Sequence, residues 1–171
     1  MTTSTITLSD LTELTSDYLE TEVEVRVTDV TRNLNPGADG TYRVRVRNAD
    51  APGGIRLHDV TVHIKSSTSA VQLSANAPTM LETRASGSRS EPLLPDDALV
   101  PELYVFFPDD SAGVEPSDVL DPGEVIEFDM PYHANRRGTA RITAHVHASV
   151  LSTDLFPRTN GPDNGKDVTV G

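Results

Sequence analysis

The strongest constraint on this chain is a regular alternation of apolar and polar residues between Thr139 and Leu151. From position 142 to position 150 every second residue is aliphatic, and the polar residues between them include His145 and His147. A side-chain period of two is typical of a β-strand with one buried face and one solvated face. The stretch from Val125 to Met130 alternates in the same way. We expect the two stretches to pair as an antiparallel hairpin in the core of a β-sheet protein.

Shorter alternating or apolar runs recur along the chain, separated by segments rich in Gly, Pro, Asn and Asp. Such turn formers between short apolar runs are the pattern of an all-β fold. The alternation loses its parity at His58 and Asp59, which predicts a β-bulge there. In total the sequence predicts about eight strands in a two-sheet β-sandwich. Besides the two stretches above, these are Glu22 to Val27, Tyr42 to Val46, Ile55 to Lys65, Val71 to Leu73, Leu103 to Phe107 and Val168 to Val170.

We expect the chain to divide into an N-terminal arm, residues 1–21, and a single sandwich domain, residues 22–171. Asp10 to Glu13 fits a helix-capping box, so a short helix in the arm is one interpretation. The other is a Thr- and Ser-rich arm that becomes ordered only against a neighbour. Residues 74–118 are irregular apart from one apolar run, and a long, loop-rich insertion is expected there.

Charged residues alternate with valines in two neighbouring predicted strands. Arg43, Arg45 and Arg47 form a row in one, and Glu22 and Glu24 belong to the other. If the strands pair, opposite charges face one another on the solvated side of the sheet, where each pair contributes about 0.2 to 1 kcal/mol. We favour a charge-paired surface over a binding patch for this arginine row.

The composition excludes several classes of protein. The formal net charge of −12 argues against nucleic-acid binding, because a phosphate backbone requires an excess of Lys and Arg. The absence of cysteine excludes disulfides and thiol nucleophiles. An acidic chain in which the basic residues are nearly all Arg resembles proteins of halophilic archaea, and partly those of GC-rich bacteria.

Three stretches together resemble the immunoglobulin-like, cell-adhesion-related modules of bacterial and archaeal surface proteins. They are Tyr42 to Asn48 followed by Leu57 to Ile64, then Leu120 to Phe128, and finally Gly138 to Val146 leading to the turn and strand from Asn160 to Val170. The resemblance implies an immunoglobulin-like β-sandwich with an adhesive, spacer or decorating role. It carries over no catalytic residue.

Two histidines make a candidate metal site on the predicted central strand. His145 and His147 project from the same face, and two imidazoles at that spacing can bind one Zn²⁺ or Ni²⁺ ion. His133 or His63 would supply a third ligand. The alternative is that the pair lies at the surface or in a contact between subunits.

Two acidic clusters are candidates for a structural Ca²⁺ site, because this ion prefers oxygen ligands on flexible loops. Asp163 and Asp167 lie beside Asn160 and Asn164 in a segment that also contains Gly. The alternative is ordinary solvated surface, which an acidic protein accumulates. The other cluster comprises Asp109, Asp110, Glu115, Asp118 and Asp121.

No nucleophile elbow or phosphate-binding loop is present, and we predict a non-enzymatic protein without a cofactor, apart from the candidate structural Ca²⁺. The start of the sequence resembles no export signal, and no apolar run is long enough to span a membrane. We therefore expect a virion surface component, such as a capsid decoration, turret or tail protein, made in the cytoplasm of a halophilic archaeon or GC-rich bacterium. It would form a homo-oligomer and bind other particle proteins.

The alternative is a cell-surface or extracellular adhesion module that binds glycan or protein. Outward aromatic rings would mark a sugar-binding platform. The candidates for such a platform are Tyr104, Phe106, Tyr132 and Phe156.

Overall fold

A computed structural model of the chain describes residues 23–49, 54–149 and 164–171. The predicted arm, residues 1–21, lies outside these ranges. The described residues form ten β-strands and one short 3-10 helix, Asp110–Ala112. The strands are β1 (Val23–Thr28), β2 (Asp39–Asn48), β3 (His58–Ser66), β4 (Val71–Ser74), β5 (Glu82–Arg84), β6 (Leu99–Val100), β7 (Glu102–Phe106), β8 (Val125–Ala134), β9 (Gly138–Ser149) and β10 (Gly165–Val170).

The strands make two five-stranded antiparallel sheets. The first has the order β1-β2-β8-β4-β6 and the second the order β10-β9-β3-β7-β5. The predicted all-β sandwich is confirmed. The strand number exceeds the predicted eight because the expected loop-rich insertion contains two further short strands, β5 and β6. No helix in the described part of the chain is long and apolar enough to cross a membrane.

The predicted hairpin of β8 with β9 is wrong. β8 lies between β2 and β4 in the first sheet, whereas β9 lies between β10 and β3 in the second. The loop at positions 135–137 therefore carries the chain from one sheet to the other. The alternation correctly identified the buried face of each strand, but a period of two does not specify which strand lies alongside. The apolar faces of β8 and β9 therefore face each other across the core, and the two strands are not neighbours in one sheet.

The core lies between the inward rows of the two sheets. Along each long strand, the aliphatic residues of the alternating pattern are the buried ones, as predicted. The core contains no Trp, so it is formed mainly by Val, Leu, Ile and Ala with a few aromatic rings. Its central members are Val44, Val46, Val60, Val62, Ile64, Ile126, Phe128, Met130, Ile142, Ala144 and Val146.

The outer face of the first sheet is paired by charge, as expected for the arginine row. Glu24 lies opposite Arg47 in the register of β1 with β2, but its carboxylate forms an ion pair with Arg26 of its own strand. Arg43 donates from Nε to the Oδ1 of Asp129 at 2.8 Å and also faces Glu127. Glu22 lies outside the described residues. This surface is a network of exposed ion pairs, each of modest strength.

Two irregular positions tie the sheets to their connections. Asn48 is fully buried, and its Nδ2 donates to the carbonyl oxygens of Ile55 at 2.7 Å and Leu120 at 3.0 Å. The predicted bulge is confirmed: the register of β3 with β9 shifts after His58, and Asp59 has a φ of 51°. A buried amide that satisfies two carbonyls fixes where β2 ends relative to the chain preceding β8.

Replacing Val146 with Asp should prevent folding at neutral pH. The side chain is fully buried between the sheets, and an unpaired carboxylate there costs several kcal/mol, comparable with the whole stability of a domain. Far-UV circular dichroism and thermal unfolding measure the effect. Thr139→Asp is the matched control, because Thr139 is exposed on the same strand and its variant should stay folded.

Candidate functional site

The outer face of the second sheet carries the histidines singled out in the sequence. His63 of β3 lies opposite His145 of β9 on one side and Tyr104 of β7 on the other. The His63 and Tyr104 rings stack with centroids 4.0 Å apart, and the His147 ring meets both edge-on at 5.9 Å. His63 and His147 are buried, so the prediction of a solvated face is wrong over this patch.

His63 is the most enclosed ionisable group of this patch, with its side chain 3 % exposed. Its Nε2 lies 3.0 Å from the Oε2 of Glu102. Burial lowers the pKa of His63, and the hydrogen bond to Glu102 opposes that shift while the charges of Lys65 and His145 add to it. His63 is therefore held neutral at pH 7 as an aromatic packing residue.

β5 and the segment that follows it cover part of the outer face of the second sheet. Arg84 donates from Nε to the carbonyl of Glu91 at 3.0 Å, and its guanidinium lies 4.6 Å from the Phe106 ring centroid. Gly87 passes so close that a Cβ there would lie 3.3 Å from the Tyr104 ring. The predicted insertion thus packs as a cover over one end of the sheet.

The three described aromatic rings of the predicted sugar-binding platform are all in contact with other groups of the chain. Phe106 is buried beneath the guanidinium groups of Arg84 and Arg89, and Tyr104 is stacked on His63. Tyr132 points into the core and donates its hydroxyl to the carbonyl of Thr31 at 2.7 Å. Tyr132 is therefore not an outward ring. Phe156 lies outside the described residues.

The predicted metal ligands do not converge in the part of the chain that is described. Asp167 lies on β10, where Arg141 Nη1 approaches its Oδ1 at 3.3 Å. Asp163 lies outside the described residues. Among the residues that the structure describes, no group of three or more His, Asp or Glu side chains could hold one metal ion. The histidine pair therefore has no third ligand within the described residues. Metal binding through His145, His147, Asp163 and Asp167 stays a prediction.

In the acidic cluster between Asp109 and Asp121, carboxylates form hydrogen bonds or ion pairs within the chain. Asp118 is buried, and its carboxylate accepts from the backbone N–H of Asp110 at 3.1 Å and from Arg89 at 3.2 Å. Burial raises the pKa of Asp118 despite both partners. Asp121 pairs with Arg56 at 2.7 Å. These carboxylates organise the loop before β8.

A groove that the sequence did not reveal opens between the edges of the two sheets. Its volume is about 560 Å³, and we call it the open-edge groove. The chain following β1 forms one wall, and the edge strand β10 forms the other. It is lined by Thr31, Arg32, Asn33, Arg141, Gly165, Lys166, Asp167, Val168 and Thr169.

Within the described residues, the β10 wall of the groove is an open strand edge, with no further strand paired along it. Ala144 donates to the carbonyl of Asn164 at 2.8 Å, and the groups that face a neighbour alternate along an antiparallel strand. The backbone groups of Gly165 and Asp167 therefore face away from β9, towards the groove. Among the described strands β10 pairs with β9 alone, apart from a single bridge between Val170 and Leu34. This wall can accept another extended segment.

The groove is a basic site on an acidic protein. Arg32 and Lys166 are exposed and make no ion pair with the other described residues, while Arg141 is paired with Asp167. Three cations and one carboxylate line a site in a chain of net charge −12. Lys166 and Arg32 are more than one hundred positions apart, and neither belongs to a motif. The one sequence feature that could have drawn attention to this site is that Lys166 is one of only two lysines.

No protein-family model matches the chain, and no curated protein matches it significantly. Solved structures with similar strand arrangements include the CARDB domain of a Pyrococcus furiosus protein, solved in complex with di-metal ions, at 15 % identity over 89 % of this chain and 91 % of that one, with a TM-score of 0.44. The major pilin subunit of Bacillus cereus is similar at 9 % identity, over 86 % of this chain and 40 % of that one, with a TM-score of 0.47.

The chain is also similar to AvmM, which catalyses macrocyclization in alchivemycin A biosynthesis, at 13 % identity over 88 % of this chain and 89 % of that one, with a TM-score of 0.45. At these identities the likenesses concern the fold alone. The expectation that this chain is not an enzyme stays a prediction.

The lowered pKa of His63 predicts a loss of stability in mild acid. The unfolded chain protonates His63 near pH 6.5, whereas the folded chain resists protonation, so stability is retained above that pH and falls as pH decreases through it. The free energy of unfolding from urea titrations at pH 7 and pH 5 measures the change.

His63→Phe keeps a ring against Tyr104 and should lose less stability than the wild type between the two pH values. His133→Gln is the control, because it changes a histidine on the other sheet and leaves His63 in place. If the wild type and His63→Phe lose the same free energy of unfolding between pH 7 and pH 5, the acid sensitivity does not come from His63.

Proposed function

We propose that this chain is a surface-adhesion module that binds an extended, acidic segment of a protein partner in the open-edge groove. The single observation that carries the proposal is the combination in one groove of an open strand edge with the exposed cations of Arg32 and Lys166. An open edge binds extended backbone through main-chain hydrogen bonds, and side chains along the groove select the partner.

The charge of the groove favours an acidic partner. A net charge of −12 repels acidic chains overall, and the cations that line the groove offset this repulsion locally. Lys166 also disfavours indiscriminate pairing along this edge. A basic partner strand would have to place its positive charges beside the ammonium group of Lys166. The groove thus combines attraction for one class of partner with rejection of others.

The adhesive class agrees with the resemblance of three sequence stretches to cell-adhesion-related modules. A cell-surface or extracellular location follows from the proposed role. The virion role, the halophilic or GC-rich host and the exclusion of nucleic-acid partners stay predictions, and the genes adjacent to this one would test the first of them.

Binding of a labelled peptide of about twelve residues with alternating Thr and Glu tests the proposal. Fluorescence anisotropy should show saturable binding that weakens as NaCl is added, because the exposed charges are screened. R32E/K166E should weaken binding about tenfold, since reversing two rim charges replaces attraction with repulsion. A peptide in which Lys replaces Glu should not bind.

R136E/R137E is the matched control, because it makes the same change of net charge at two exposed arginines that do not line the groove. It should leave peptide affinity within about twofold, a difference of roughly 0.4 kcal/mol. Equal loss in both double variants, or stronger binding of a single-stranded oligonucleotide than of the acidic peptide, would contradict the proposal.

A further inference from the structure

We infer that the occupant of the open-edge groove is the N-terminal arm, residues 1–21, of a second copy of this chain. The inference rests on the proposed function, since it names the partner of the same groove. In this arrangement the arm of one copy lies along β10 of its neighbour, and its carboxylates approach Arg32 and Lys166. The groove is then a self-assembly site.

Charge complementarity between the arm and the groove is the first support. The arm contains no Lys, Arg or His, and its charged side chains are all acidic. The groove holds two exposed cations without an ion-pair partner among the described residues, in addition to Arg141. Attraction therefore operates between two parts of a chain that otherwise repels its copies. The acidic residues of the arm are Asp10, Glu13, Asp17 and Glu20.

The residue types at the start of the arm suit strand addition. Positions 2–9 contain four Thr, one Ile and no Gly or Pro, and β-branched residues favour extended backbone. Ile6 and Leu8 alternate with Thr5, Thr7 and Ser9, so one face of an added strand is apolar. This pattern matches what an open edge beside a sandwich core accepts.

The connection between the arm and β1 favours a neighbouring copy over the same copy. β1 begins at Val23, and the groove is lined by residues that follow the other end of β1, starting at Thr31. To reach its own groove the arm must reverse direction at some point before β1. Positions 18–22 contain no Gly, Pro, Asn or Asp, the residues that make tight reversals.

Disulfide trapping in the full-length chain tests which copy supplies the arm. The chain contains no cysteine, so every disulfide that forms joins introduced thiols. A mixture of a Thr7→Cys chain and a Thr169→Cys chain should yield a linked pair on a non-reducing gel after mild oxidation. Thr7→Cys mixed with Thr79→Cys is the control, because Thr79 is exposed and lies between β4 and β5, on the side of the sheets opposite β1 and β10.

In the double variant T7C/T169C, linkage between chains supports the inference, and linkage confined within single chains overturns it. Failure of the Thr169→Cys mixture to give more linked pair than the Thr79→Cys mixture also overturns it.

A charge swap tests the chemistry of the contact independently. Molar mass from light scattering should show association of the wild type, and D10K/E13K/D17K/E20K and R32E/K166E should each lower it to that of a monomer. Combining all six substitutions in one chain should restore association. D96N/D97N, at two exposed carboxylates outside the groove, is the control and should associate like the wild type.

Thermal unfolding of each variant distinguishes loss of association from loss of folding. If the acidic peptide binds the groove while the wild type remains a monomer, the inference fails and the proposed function stands. If neither peptide nor arm binds, both fail.

Discussion

The structure depends on the burial of two aliphatic surfaces against each other. Each sheet presents one apolar row per strand, and neither row can be left in water without losing the main driving force for folding. Neither a disulfide nor a Trp is present to supplement this core. The parity of every long strand is therefore fixed, because a slip of one residue would exchange its aliphatic face for its charged face.

Fixing the inward rows leaves the two outer faces free to differ. On the first sheet the arginine row lies across from carboxylates, so the surface is charged, paired and solvated. On the second sheet His63 and Tyr104 are enclosed by a segment whose arginines pack over Phe106. His147, one of the two histidines that suggested a metal site, packs against the rings of His63 and Tyr104. One accessible polar site in the described part of the chain is the open-edge groove, where the edges of the two sheets approach each other.

Sequence reasoning succeeded where a signal is local and failed where partners are distant. The bulge at His58 and the position of Glu24 across from the arginine row follow from parity and turn residues within a short stretch. The predicted hairpin of β8 with β9 failed because alternation carries no information about the neighbouring strand. The groove was invisible because Arg32 and Lys166 meet only after the chain has formed both sheets.

The sequence by itself determined the fold class, the buried face of each long strand and the acidic character of the surface, because these follow from residue type and a period of two. The tertiary structure alone decided which strands are neighbours, which outward side chains are covered and where cations gather. The physical reason is that pairing, cover and local charge arise from contacts between residues far apart in the chain. Such contacts leave no trace in any short stretch of sequence.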